Sequence, residues 1–189
     1  MWLFFSAYFY LLRHPSSAVF EMPLTALDRA IPFQPSTFVA YASLWFYVGI
    51  APGLMLTLRE LLRYLAWIAA LCGAGLACFY FFPSAVPPYD FGAAHDNGIA
   101  MLKGVDAAGN ACPSLHVATA LFSAIWIRRM LGTVGVPTPL HWLNWAWFGA
   151  IAYSTLAIKQ HVVYDVLGGT LLALLFAWPA WRSDAGSGR

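Results

Sequence analysis

The stretch "QHVVYDVLGG" (160–169) sets a histidine and an aspartate four residues apart, at His161 and Asp165. On a helix that spacing puts both side chains on one face. A carboxylate that accepts from one imidazole nitrogen fixes the tautomer and leaves the other nitrogen free as nucleophile or base. A structural His–Asp pair tying two helices together is the plainer use of the same spacing. A second histidine, His116, sits in "PSLH" (113–116), where an apolar run begins. Pro113 suits the first position of a helix. The N–H groups of Ser114, Leu115 and His116 would then face outward as an anion site, with the Ser114 hydroxyl as a further donor. The plainer alternative makes Ser114 a cap and His116 an interfacial polar residue. Lys159, two residues before His161, could neutralise a bound phosphate or snorkel to lipid headgroups.

These groups need a frame. The chain of 189 residues is 61% apolar and 10% charged, with mean hydropathy +0.67. Soluble domains are about 45–50% apolar and about 25% charged, so the class is an all-α integral membrane protein. A net charge of +2 makes no case for a nucleic-acid partner. Six apolar segments run over 1–12, 36–57, 64–82, 114–130, 142–158 and 162–181. Most reach the roughly 17–25 residues that cross a bilayer. The expectation is a six-transmembrane-helix bundle, one domain over 1–182 with a flexible tail at 183–189. "MWLFFSAYFYLL" lacks the basic start of a signal peptide and reads as a short first span. Pro23, Pro32 and Pro35 prevent one long helix between the first two spans. "TALDRA" there could lie as a short interfacial helix, with Asp28 and Arg29 at the headgroups. The connection 83–113 is long enough to expect a functional or disordered loop. Cys72 and Cys78 read as small core residues, and with Cys112 they form no disulfide framework or metal spacing.

With six alternating spans, Arg59, Arg63, Arg128, Arg129, Arg182 and Arg189 share the side of both termini, against Arg13, Arg29, Lys103 and Lys159 on the other. The positive-inside rule then puts both termini in the cytoplasm. Trp142, Trp178 and Trp181 fall near the cytoplasmic ends of their spans, where interfacial tryptophan is expected. Ser114 and His116 open the fourth span, Ser154, Thr155 and Lys159 close the fifth, and His161 and Asp165 open the sixth. All three clusters therefore land on the outer face. Asp165 lies within an apolar run, where an unpaired carboxylate is expensive. Gly168 and Gly169 permit close helix packing rather than ligand binding. Lys103 is the single basic residue of the long outer loop, and His95 in "AAHDNG" lies in that loop too. His14 and His141 read as interfacial.

"PSLH" followed by "STLAIKQHVVYD" (154–165) resembles the phosphatidic acid phosphatase type 2 superfamily. That family carries Pro-Ser-Gly-His, then Ser-Arg, five residues, His, three residues, Asp. Ser154-Thr155, His161 and Asp165 match the second spacing. "PSLHVA", "KQH", "LDRAIPFQPS" (27–36) and "FFPSAVPP" (81–88) are similar to the branch of inositol-phosphorylceramide and sphingomyelin synthases and their bacterial relatives. The resemblance implies a metal-independent and cofactor-free reaction on a phospholipid or lipid phosphate in the plasma (inner) membrane, through a phosphohistidine. His161 would attack phosphorus, Asp165 would orient it, and His116 would protonate the leaving oxygen and then activate the acceptor. Ser114 would cradle the phosphate. The family's Lys-x6-Arg-Pro motif is missing, with Tyr89 near where its basic residue would fall, and Thr155 replaces the arginine of the later motif. Lys159 is the expected substitute, with Lys103, Ser154 or His95 assisting.

Three functions compete on the sequence alone. Water as acceptor gives a phosphatase, and a lipid or polyol hydroxyl gives headgroup transfer. Two histidines and a carboxylate could instead make a metal triad, although no fourth protein ligand is evident. A transporter or non-catalytic scaffold would also hold ionisable groups in its spans. Transporters, however, often carry paired broken helices at mid-membrane, and here the polar groups gather at one interface.

Overall fold

The computed structural model describes residues 2–89 and 110–182. Lys103, His95 and the expected tail at 183–189 lie outside the described residues. The chain forms α1 (Trp2–Arg13), strand β1 (Phe20–Glu21), α2 (Ala26–Ala30), a 3-10 turn (Pro35–Thr37), α3 (Phe38–Ala42), α4 (Leu44–Gly53), α5 (Leu58–Phe81), strand β2 (Ser84–Ala85), α6 (Leu115–Val134), α7 (Thr138–Ala157) and α8 (Val163–Arg182).

Helix α6 is the axis. Val117, Ala118, Ala120, Phe122, Ala124 and Trp126 are wholly buried. Small residues on such a helix let its neighbours approach closely, and α4, α5, α7 and α8 all pack on it. α1 leans on α5, and α3 on α7. The outer faces carry exposed Phe46, Leu56, Leu175 and Trp142. An apolar exterior around a buried core is what a lipid-facing bundle requires.

Among the described residues, two helices are long and apolar enough to cross a membrane, Leu58–Phe81 and Leu115–Val134, and Val163–Trp178 is a shorter apolar stretch. At 1.5 Å per residue, the 12 residues of α1 reach only about 18 Å. The expected second span, 36–57, is two helices rather than one, broken at Ser43. The Ser43 hydroxyl donates to the Ala40 carbonyl at 2.6 Å and accepts from Trp147 Nε1 at 3.1 Å. Serine bonded back to its own helix competes with the helical ladder. Pro52 then closes α4 in its last turn.

Two contacts hold the middle of the bundle. Tyr47 donates to Asn144 Oδ1 at 2.7 Å, while Asn144 Nδ2 donates to the Ala124 carbonyl at 3.0 Å. The Tyr64 and Ser123 hydroxyls meet at 3.1 Å. Beyond the end of α5, β1 and β2 pair in parallel. Ser84 also bridges Asn110, accepts from Ala111 N–H on its carbonyl at 3.0 Å and from Cys112 N–H on its hydroxyl at 2.9 Å.

Candidate active site

The start of α6, the end of α7 and the start of α8 meet at one end of the bundle. Ser114 has an extended backbone and is the N-cap of α6, its Oγ accepting from Val117 N–H at 3.3 Å. Pro113 therefore precedes the cap instead of occupying the first turn. The Ser114 N–H is not free for a ligand either. It donates to the main-chain carbonyl of Asp165 at 2.9 Å and so ties α6 to α8. The two glycines of α8 allow that closeness: a Cβ at Gly169 would collide with the Ser114 carbonyl, and one at Gly168 would lie 3.2 Å from Cys112 Sγ.

At the end of α7, the Thr155 carbonyl accepts from both Gln160 N–H (3.0 Å) and His161 N–H (3.1 Å). Lys159 makes this turn with φ of 60°. His161 follows, two residues before α8. Asp165, wholly buried in the first turn of α8, accepts on Oδ2 from Val162 N–H at 2.9 Å. The same oxygen lies 3.4 Å from His161 Nδ1. Asp165 Oδ1 has no hydrogen-bond partner among the described residues. The pair thus directs the far ring nitrogen, Nε2, away from the carboxylate.

His116 is the second residue of α6, and its ring centroid lies 5.9 Å from that of His161 with the planes at 57°. Tyr41 of α3 stacks on His116 at 4.4 Å and 23°, and Trp45 of α4 presents its edge at 6.4 Å. Three helices, α3, α4 and α6, and the loop that carries His161 therefore meet around one histidine. No pattern in the run 36–57 singles out Tyr41, since an aromatic residue there looks like any other apolar one.

The remaining expected ligands are engaged elsewhere. The Ser154 hydroxyl donates to the Ile151 carbonyl at 2.6 Å, inside its own helix. Thr155 does the same toward Ala152 at 2.8 Å. Lys159 Nζ donates to the carbonyls of Asp28 (2.9 Å) and Ile31 (2.5 Å) and stands 5.2 Å from the centroid of the Tyr89 ring. Burial holds the Lys159 amine below its ordinary range, and the neighbouring Asp28 charge partly offsets this. Lys159 nevertheless lines the same cavity as His161, about 110 Å³, together with Arg29, Asp28 and Tyr89. Arg29 uses one donor on the Leu24 carbonyl at 2.9 Å, out of five that a guanidinium offers. Asp28, expected at the headgroups, is instead 7% exposed. Its signal was present in "TALD": a threonine three residues before an acidic residue is a capping box, and both reciprocal bonds form. Among the described residues no three His, Cys, Asp or Glu side chains gather to hold a metal ion.

No curated protein and no solved structure matches this chain significantly. The family pattern does match: residues 18–178, which include every histidine, carboxylate and cation just described, correspond to the PAP2 superfamily. The chain therefore belongs to the PAP2 superfamily, whose members are in general phosphatases and phosphotransferases.

Proposed function

We propose that this protein is a membrane lipid phosphatase or phosphotransferase working through a phosphohistidine at His161. The observation that carries the reading is the pair of imidazoles with centroids 5.9 Å apart, one of them backed by a buried carboxylate. In the first step His161 Nε2 attacks phosphorus, the P–O bond to the leaving group breaks, and His116 gives that oxygen a proton. In the second, His116 takes a proton from the acceptor, whose oxygen displaces Nε2 from phosphorus. Asp165 holds the tautomer throughout. Its 3.4 Å separation from Nδ1 is long, and catalytic hydrogen bonds are often loose before substrate is bound. Arg29 and Lys159 supply the positive charge that the family's missing basic motifs supply elsewhere, and transferring phosphoryl oxygens need such charge. The first N–H groups of α6, at Leu115 and His116, have no intrahelical carbonyl to bond and are suited to the same oxygens.

In this reading α1, α3 with α4, α5, α6, α7 and α8 make six spans, both termini are cytoplasmic and the site opens on the outer face of the plasma membrane. A second reading, headgroup transfer in the manner of the inositol-phosphorylceramide and sphingomyelin synthases, is favoured by the Tyr41 and Trp45 rings beside His116. They give an apolar wall against which an alcohol acceptor can lie.

The test is a panel of dioctanoyl lipid phosphates and phospholipids in detergent, with both released phosphate and new lipid products measured. Turnover is expected with at least one of them, and the product separates hydrolysis from transfer. Wild-type-like rates in His161→Ala or in His116→Ala would overturn the assignment.

A further inference from the structure

His161 stands on a loop, yet that loop is held from both sides. Asp165 Oδ2 accepts from Val162 N–H at 2.9 Å, and Asp28 Oδ1 accepts from the next amide, Val163 N–H, at 2.9 Å. The two peptide donors that follow His161 are thus each taken by a different carboxylate. Asp28 comes from 133 residues earlier in the chain, by the numbering. Its other oxygen accepts from Thr25 N–H at 2.8 Å and from the Thr25 hydroxyl at 2.7 Å, so the carboxylate cannot swing away. The Asp28 carbonyl receives Lys159 Nζ, two residues before His161. Gln34 N–H donates to the Ala157 carbonyl at 2.9 Å, and its side chain reaches Tyr153 at 2.6 Å. The segment 25–34 therefore grips the histidine loop before and after His161.

We propose that Asp28 is a positioning residue for the transfer reaction: through the amide of Val163 it fixes the His161 imidazole against His116. This rests on the phosphohistidine reading for its kinetic readout only. A buried carboxylate is expensive unless it is fully hydrogen-bonded. Here its bonds go to the capping threonine and to the first turn of α8, where the helix dipole also favours a negative charge. A cap alone would need only Thr25 and Asp28. The bond to Val163 adds nothing to α2 and joins it to the catalytic loop.

Three variants test this: Asp28→Ala, Asp28→Asn and Val163→Pro. Val163→Pro replaces the N–H that Asp28 accepts with a ring carbon that displaces the carboxylate, at a first helical position whose backbone suits proline, and carries the test if Asp28→Ala does not fold. Two measurements are made in detergent. One is the single-turnover rate constant with enzyme in excess over dioctanoyl phosphatidic acid, which an inactive fraction does not change. The other is the rate of carbethoxylation of His161 by diethyl pyrocarbonate, read by mass spectrometry against His141 in the same molecules. Asp28→Ala and Val163→Pro are expected to lower the rate constant about 10- to 100-fold, the scale of a misplacement of about 1 Å. Both should raise the His161:His141 modification ratio by about threefold or more, as local loosening without global opening does. Asp28→Asn, which keeps an acceptor for Val163, should lose less than Asp28→Ala. An unchanged ratio with a rate constant within about twofold of wild type would overturn the proposal, as would His141 and His161 rising together. If the wild type turns over no lipid phosphate, the phosphohistidine reading fails, while the modification ratio still decides the role of Asp28.

Discussion

Helix α6 touches two buried polar clusters, one at its middle and one at its head. At the middle, the Tyr47 hydroxyl and both polar ends of the Asn144 amide are matched, with Ala124 completing the set. At the head, Asp165 keeps one oxygen without a hydrogen-bond partner among the described residues, and its bond to His161 is stretched to 3.4 Å. Both clusters sit among apolar side chains, where an unmatched polar atom costs about 1–3 kcal/mol. The middle is closed and holds helices together. The head, by contrast, leaves one buried carboxylate oxygen unmatched among the described residues.

That contrast can be broken by substitution, beginning with the largest effect. His161→Ala should abolish turnover of lipid phosphates while the detergent melting temperature stays near wild type, because no helix is joined through the imidazole. Asp165→Asn should keep the fold but present the wrong tautomer, and comparable triads lose about 10⁴ in rate by that change. Single-turnover kinetics measure both. Gly169→Ala sharpens the role of packing. Glycine to alanine inside a helix normally stabilises by about 1 kcal/mol, but here the new Cβ meets the Ser114 carbonyl. The start of α8 must then move off α6, and kcat should fall about 10- to 100-fold. Gly149→Ala, with open space around it, should leave kcat unchanged. Arg29→Ala should lower kcat/KM about tenfold, the scale of one charge-assisted hydrogen bond, with the larger change in KM. Least on activity and most on stability comes Asn144→Ala. It leaves the Tyr47 hydroxyl only the main-chain carbonyl of residue 144, at 3.3 Å, so melting should reveal a loss of about 0.5–1.5 kcal/mol with kcat per folded molecule unaltered.

The meeting of polar side chains at the head is more legible in the residues than the frame around it. His161 and Asp165 declare themselves by a four-residue spacing, and His116 by its place at the mouth of an apolar run. Counting alternating spans was enough to expect them at one end of the bundle, and their side chains do lie together. What hydropathy cannot see is hydrogen bonding within a greasy segment. At the break, Ser43 accepts from Trp147, more than a hundred residues away. The Lys159 ammonium turns onto the carbonyls of Asp28 and Ile31, in and just past α2, rather than outward, because the loop crosses a helix end whose last carbonyls have no intrahelical partner. Pro113 sits one step earlier than expected because the serine after it is the better cap. Asp28 differs in another way: its capping box is legible at "TALD", but its second partner, Val163, is visible only in three dimensions.

Ser84 is the point where the chain departs after β2 and to which it comes back at Asn110, Ala111 and Cys112. Because both ends of that excursion are knotted to a single buried serine, altering its length need not tug on the histidines downstream. Doubling a loop adds only about 0.6 kcal/mol of closure entropy. Relatives built on this plan could therefore differ widely in length between these two anchor points and still keep the two histidines at the same end of the bundle.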